Sequence, residues 1–119
     1  MIPIEDFRRF ALSLPEAGEA KHFDLASFQV KKKIFATLNA PEGRATIRLS
    51  PEDQYAFCAV SQGAMYPVPN RWGHYGWTHI DLEKGDWEMC RDALQAAWWD
   101  VAPKTLQKKY PELNVVGEE

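Results

Sequence analysis

The chain has 119 residues, of which 45% are hydrophobic, and its net charge is only −3. This length fits one domain with a sizeable buried core, so we expect a single domain over residues 1–119. The near balance of charge argues against a protein whose whole surface is built for nucleic acid, although it allows a local basic patch.

The two cysteines, Cys58 and Cys90, are far apart and belong to no metal-ligand motif. Both fall on predicted helices, where buried free thiols are the usual interpretation. The sequence shows neither a signal-peptide pattern nor an apolar run of about 20 residues. We therefore expect a cytoplasmic monomer with no membrane-spanning segment, no metal site and no cofactor.

Proline, glycine and hydrophobic periodicity divide the chain into helices and extended segments. Pro3 and Pro15 bound a first helix, and extended segments follow over residues 21–30, 34–39 and 44–50. Ser50 caps a second helix that runs to about residue 60. A loop then leads through Gly76 to a strand over residues 77–82.

The end of the chain is predicted to be helical. Asp86 caps a third helix, a short fourth helix covers residues 104–110, and residues 110–119 form a frayed tail. The resulting order, α-β-β-β-α-β-α-α, predicts an α+β sandwich in which an antiparallel sheet carries helices on one face. The other face of the sheet would then be partly open to solvent.

Period-two alternation predicts which side chains point to this open face. They are Phe35, Thr37, Arg44, Thr46, Arg48, Trp77 and His79. Aromatic rings beside guanidinium groups can stack bases and hold phosphates, as single-strand binders do. Alternatively, the aromatic rings pack beneath a loop and the arginine stems lie over them.

Cationic side chains concentrate in one part of the chain. Six cationic and two acidic residues give residues 21–48 a net charge of +4, whereas residues 83–102 carry −3. Lys31, Lys32 and Lys33 sit at a strand junction, where a basic hairpin tip can follow a DNA backbone. The same cluster can equally protect a sheet edge from aggregation.

The loop before the last strand, residues 66–77, is rich in aromatic and cationic groups. Its Arg71 can make a forked contact with phosphate, and its His74 supplies a titratable donor. An ordinary connection, with Trp72 folded back onto the domain, explains the same pattern.

No motif indicates catalysis. The histidines lack metal-ligand spacing, and the chain has neither a P-loop nor a dinucleotide fingerprint. His79 and Asp81 share a strand face, but no motif places a serine or cysteine nucleophile beside them.

Short segments in a characteristic order extend along most of the chain. They are Leu12-Ser-Leu-Pro15 with Glu19, Phe23 followed by Phe28-Gln-Val30, Lys33-Ile-Phe-Ala-Thr-Leu38, Asp53, Gly76-Trp-Thr-His-Ile-Asp-Leu82 and a closing helix pair. On these segments the chain resembles the bacterial MmcQ/YjbR-like proteins. The resemblance implies a frataxin/CyaY-like sandwich with a double-wing arrangement and a DNA-binding role. The wings would be the hairpins around Lys31–Lys33 and around Arg44.

Three hypotheses remain for the function. The first is non-enzymatic DNA binding. The second is a protein-interaction or small-ligand-binding module that uses the aromatic loop, and the third is an enzyme that uses His79. The candidate nucleic-acid-binding residues of the first hypothesis are Lys31, Lys32, Lys33, Arg44, Arg48, Arg71, Trp72, His74 and Trp77.

Overall fold

The structure, a computed structural model, describes residues 1–114. Helix α1 (Ile4–Ser13) precedes four consecutive strands. These are β1 (Ala17–His22), β2 (Leu25–Val30), β3 (Lys33–Asn39) and β4 (Arg44–Arg48). Helix α2 (Pro51–Val60), the short strand β5 (Met65–Pro67) and the one-turn helix α3 (Arg71–His74) then lead to β6 (Trp77–Asp81). Helices α4 (Trp87–Val101) and α5 (Lys104–Lys109) and a 3-10 turn over Pro111–Leu113 follow.

The six strands form one antiparallel sheet in the order β1-β2-β3-β4-β6-β5. Helix α4 packs across β3 and β4, and α1 packs beside it on β1. Phe7 of α1 and Trp98 of α4 are fully buried with Phe28 and Ile47 of the sheet. The predicted α+β class, an antiparallel sheet with helices over one face, is therefore confirmed.

Helix boundaries follow the capping signals of the sequence. The Ser50 side chain accepts a hydrogen bond from Asp53 N at the start of α2. The Asp86 carboxylate accepts one from Met89 N at the start of α4. These bonds satisfy backbone donors that the first helical turn leaves unpaired, so both predicted starts are correct.

Three predicted segments differ from the structure. A tight turn between His22 and Leu25 divides the strand predicted over residues 21–30 into the end of β1, which begins earlier at Ala17, and β2. Strand β5 and helix α3 lie inside the predicted loop. The predicted tail is structured up to residue 114, where Leu113 O accepts a hydrogen bond from Gln95 Nε2. Residues 115–119 of that tail lie outside the described part of the chain.

Phe35 is not on the open face; it is fully buried in the core beneath the helices. A β-bulge is the reason. Phe28 pairs with Ala36, but Gln29 pairs with Ile34, so Phe35 is an extra residue in β3. The bulge reverses the alternation at this point, and Ile34 replaces Phe35 on the open face.

Only one of the cysteines is a buried thiol. Cys90 is buried in the core, and burial raises its pKa to about 12. Cys58 is half-buried on α2, a helix with no fully buried residue. No helix among residues 1–114 combines the length and the apolar character needed to cross a membrane.

Candidate functional site

The sheet face opposite α4 carries a row of polar and aromatic side chains. Thr37 pairs with Thr46, and Thr46 pairs with His79, so these three residues cross the middle of the sheet side by side. Arg48 and Trp77 form the next pair of the same face toward one end of the strands. Five of the seven predicted open-face residues are at least partly accessible: Arg44, Thr46, Arg48, Trp77 and His79.

A groove of about 330 Å³ runs over this face. Its floor crosses four adjacent strands, from Leu25 on β2 and Ile34 on β3 to Trp77 on β6. Val68 and Trp72, from the segment between β5 and β6, form its wall at the β6 side. The lining is mostly apolar and aromatic, so the groove suits a flat, hydrophobic ligand surface.

Hydrogen bonds hold the segment that carries Trp72 in place. Asn70 caps α3 by accepting a hydrogen bond of 2.8 Å from Trp72 N. Gln54 Nε2 of α2 lies 3.0 Å from Gly73 O and 3.2 Å from Trp77 O. Gly76 has a φ of +103° and its backbone lies against that of Leu49, where a Cβ atom would collide. Trp72 is therefore held at the groove on a fixed loop, although half of its surface is exposed.

His79 is the titratable group at the centre of the groove. Its Nδ1 lies 2.8 Å from the Thr46 hydroxyl, and its ring makes a T-shaped contact with the Tyr66 ring at a centroid distance of 5.4 Å. Burial lowers the pKa of His79, and the nearby positive charge of Arg44 lowers it further. The imidazole is therefore held in its neutral form at neutral pH, as a polar anchor within an apolar groove.

Each tryptophan of the groove has an arginine over its ring. The guanidinium carbon of Arg48 lies 5.9 Å from the Trp77 ring centroid, and that of Arg71 lies 5.8 Å from the Trp72 ring centroid. Such cation–π contacts contribute about 0.5–1 kcal/mol each at exposed sites. They also place two forked cationic groups at the rim of an aromatic groove.

The lysine cluster forms the tip of the β2–β3 hairpin, as predicted. Val30 pairs with Lys33, which leaves Lys31 and Lys32 as a two-residue turn. Their φ angles are +50° and +68°, the left-handed conformation that a type I′ turn requires at both positions. Non-glycine residues adopt it at a cost of about 1–2 kcal/mol each. Lys31 also forms a salt bridge with Glu16, in which Nζ lies 2.8 Å from Oε1.

Five of the six candidate cations lie toward one end of the sheet. Lys31, Lys32 and Lys33 lie at the β2–β3 turn, and Arg48 is the last residue of β4 at the same end of the sheet. Arg71 lies in the segment that enters β6 there.

Two candidates are separate from this group. Arg44 starts β4 at the opposite end of the sheet, where it pairs with Asp81. His74 is exposed beside Pro67 in another shallow pocket and does not line the groove.

The turn between β1 and β2 supplies site residues that sequence reasoning missed. His22 and Leu25 line the far end of the groove. Phe23, at the tip of this turn, is 86% exposed and has a φ of +59°, which is rare for a bulky residue. The available signal in the sequence was the two-residue turn between His22 and Leu25, but the hydrophobic pattern predicts one continuous strand over residues 21–30.

His79 and Asp81, the two residues considered for catalysis, make separate hydrogen bonds. Asp81 Oδ1 accepts hydrogen bonds from Glu83 N and Lys84 N at the end of β6, whereas the hydrogen-bond partner of His79 is Thr46. Within residues 1–114, no three His, Cys, Asp or Glu side chains converge as metal ligands.

Comparison with known proteins places the chain among relatives. The crystal structure of Deinococcus radiodurans protein DR2400, which carries the family domain DUF419, superposes with a TM-score of 0.74 and 20% sequence identity. The match covers 95% of this chain and 88% of that one, and at this identity it establishes the fold alone. A comparison with curated proteins finds no significant match. The YjbR family model matches residues 12–99, more than half of the chain. This match confirms the resemblance seen in the sequence, and the protein belongs to the YjbR family.

Proposed function

We propose that this protein is a non-enzymatic DNA-binding protein that holds unpaired bases in the groove of its open sheet face. The observation that carries the proposal is the pairing of each groove tryptophan with an arginine: Arg48 with Trp77, and Arg71 with Trp72. Aromatic rings that stack bases, next to cations that neutralise phosphates, are the combination found in single-strand binders.

The dimensions of the groove support a short single-stranded ligand. It crosses four adjacent strands, and sheet-face binders of similar width stack about two or three bases. Trp77 and Trp72 would take bases at one end, and the exposed Phe23 would contact the strand at the other. The neutral His79 provides a hydrogen-bonding group between them.

The distribution of charge supports contact with a polyanion at one end of the groove. Lys32, Lys33 and Arg48 lie beside the tryptophan end of the sheet, whereas acidic residues dominate α4. Because the net charge is −3, we expect the protein to bind only where this local cluster meets the strand. The affinity should be moderate and strongly dependent on salt.

The test is a titration of fluorescently labelled single-stranded and duplex DNA at several salt concentrations. We expect the single strand to bind more tightly, with log affinity falling linearly as log salt rises. A strand of abasic sugar-phosphate with the same length is the matched control, because it keeps the phosphates and removes the bases. Equal affinity for the abasic and the normal strand would contradict base binding in the groove.

A second candidate function is binding of a small aromatic ligand with an anionic group. The groove, at about 330 Å³, falls at the small end of the range of small-molecule pockets, which is about 300–1,000 Å³. The arginines at its rim would hold the anionic group. Mononucleotides that bind as tightly as an oligonucleotide would favour this candidate.

A further inference from the structure

A second, polar cavity of about 310 Å³ lies where β4 ends and α2 begins. Lys33 and Arg48 line it from the sheet, Tyr75 from the segment before β6, and Asp100 from α4. Two cations and a phenol around a small cavity form a chemical environment for an anion. None of the ion pairs found within residues 1–114 involves Lys33 or Arg48.

Arg48 connects this polar cavity to the aromatic groove. Its guanidinium lies over the Trp77 ring, which lines the groove, while the same side chain lines the polar cavity. The groove and the polar cavity therefore lie on two sides of Arg48. A ligand with a flat ring and a neighbouring anionic group could place its ring in the groove and its anionic group in the cavity.

The carboxyl group of Asp100 lines this cavity and has a raised pKa. Its Oδ2 accepts a hydrogen bond of 2.8 Å from Ser50 N at the start of α2. Burial, a hydrogen bond with the Asp53 side chain, and the negative charges of Asp53 and Glu52 raise the pKa of Asp100 to about 7. The hydrogen bond from Ser50 N opposes this shift without cancelling it.

We propose that the polar cavity is a phosphate subsite of the DNA-binding surface and that the carboxyl group of Asp100, which lines the cavity, tunes the affinity of this subsite. The inference rests on the proposed function, because it assigns the cavity to the phosphate next to the base stacked on Trp77. The ligand class is a phosphate group, held by Lys33 and Arg48.

The charge in the cavity follows the state of Asp100. At low pH the carboxyl is neutral, so the two cations face the anion without a competing negative charge. As the pH rises through about 7, Asp100 ionises and repels the anion. The charged and titratable groups around it are Asp53 and Glu52 from α2, Lys33 from β3, Arg48 from β4 and Tyr75 from the segment before β6.

Sulfate is the probe for this subsite, because its charge stays constant over the range in which Asp100 titrates. Calorimetric titration should show sulfate binding about fivefold more tightly at about pH 6 than at about pH 8, as removal of one nearby negative charge predicts. Asp100→Asn keeps an acceptor for Ser50 N and removes the titration. It should bind sulfate at both pH values as the unaltered protein does at the lower one.

Lys33→Ala and Lys32→Ala form a matched pair. Both remove one lysine from the hairpin, but only Lys33 lines the cavity. Lys33→Ala should weaken sulfate binding at least about fivefold, and Lys32→Ala should leave it unchanged. None of the histidines His22, His74 and His79 lines the cavity, so a loss of the pH dependence in Asp100→Asn would identify Asp100 as its source.

The outcomes separate the subsite from the proposed function. Absence of sulfate binding at about pH 6, or equal effects of the two lysine variants, would overturn the subsite even if DNA binds. Sulfate binding with the expected dependence on Lys33 and Asp100, in a protein that binds no DNA, would support the anion cavity and overturn the proposed function. If Asp100→Asn fails to fold, the lysine pair decides whether the cavity holds the anion. The comparison of sulfate binding by the unaltered protein at the two pH values then decides the role of Asp100, and equal affinity at both would overturn it.

Discussion

Arg48 of β4 and Trp77 of β6 are direct cross-strand partners, and the guanidinium carbon of Arg48 lies 5.9 Å from the Trp77 ring centroid. One residue supplies charge and the other supplies a stacking surface, at the same point of the open sheet face. The two contributions to DNA binding should therefore be separable by experiment, because phosphate contacts depend on salt and base stacking does so far less.

Substitutions of Trp77 and Arg48 should change different properties of DNA binding: the affinity in one case and its salt dependence in the other. Trp77→Ala should weaken binding of single-stranded DNA by about 1–3 kcal/mol while leaving the salt dependence nearly unchanged. Arg48→Gln should lower the slope of log affinity against log salt by about 0.7. The measurement is a fluorescence anisotropy titration of each variant over a range of salt. A large change of slope in Trp77→Ala would contradict the assignment of that ring to stacking.

Arg44 offers the matched control for Arg48. Both are arginines of β4 on the open face, but Arg44 lies at the other end of the sheet. Arg44→Gln should leave the salt slope unchanged, in contrast to Arg48→Gln. It should also raise the pKa of His79, because the Arg44 charge helps to lower it. An NMR pH titration of the imidazole checks this second effect and shows that the variant is folded.

The hairpin tip should show a conflict between stability and binding. Lys32 has a φ of +68°, so Lys32→Gly relieves the left-handed conformation and should stabilise the protein by about 1 kcal/mol in urea unfolding. The same change removes a cation and should weaken DNA binding. Lys32→Ala is the control, since it removes the charge and keeps the Cβ atom. It should weaken binding equally without stabilising the protein, and equal stability of the two variants would argue against strain at this turn.

The features that depend on local signals, such as helix starts and the hairpin turn, are predicted correctly from the sequence. Ser50 and Asp86 cap helices in the structure because their side chains need only reach a backbone N–H three residues on. The lysine hairpin and the shared sheet face of Thr46 and His79 also follow from turn position and alternation. These features place part of the groove correctly.

The features that the sequence did not predict depend on interactions between segments that are distant in the chain. Phe35 is in the core because of a bulge against β2, and no periodicity in β3 alone reveals it. Strand β5 is only three residues long and includes Pro67, which disfavours a strand in sequence patterns. The polar cavity combines residues from four separate elements, β3, β4, α2 and α4, and includes Asp100, which the sequence places on an ordinary helix.

The stability of the protein should depend on Asp100. Its pKa is raised from 3.8 to about 7 in the folded state, so the folded protein binds this proton more tightly than the unfolded chain does. The resulting stabilisation is complete below the unfolded pKa and is lost as the pH rises toward about 7. In Asp100→Asn this loss should be absent. Thermal unfolding at about pH 5 and about pH 8 measures it, and identical pH dependence in both proteins would contradict the assignment.

The proposed function requires that DNA bases occupy the groove at Trp72 and Trp77. The most direct measurement is NMR detection of the tryptophan indole N–H signals while a short single-stranded oligonucleotide is added. Trp98 is the internal control, because it is fully buried and its Nε1 donates a hydrogen bond of 3.0 Å to Pro15 O. We expect the Trp72 and Trp77 signals to shift and the Trp98 signal to stay constant. DNA binding that leaves both groove signals in place would contradict base binding at these tryptophans.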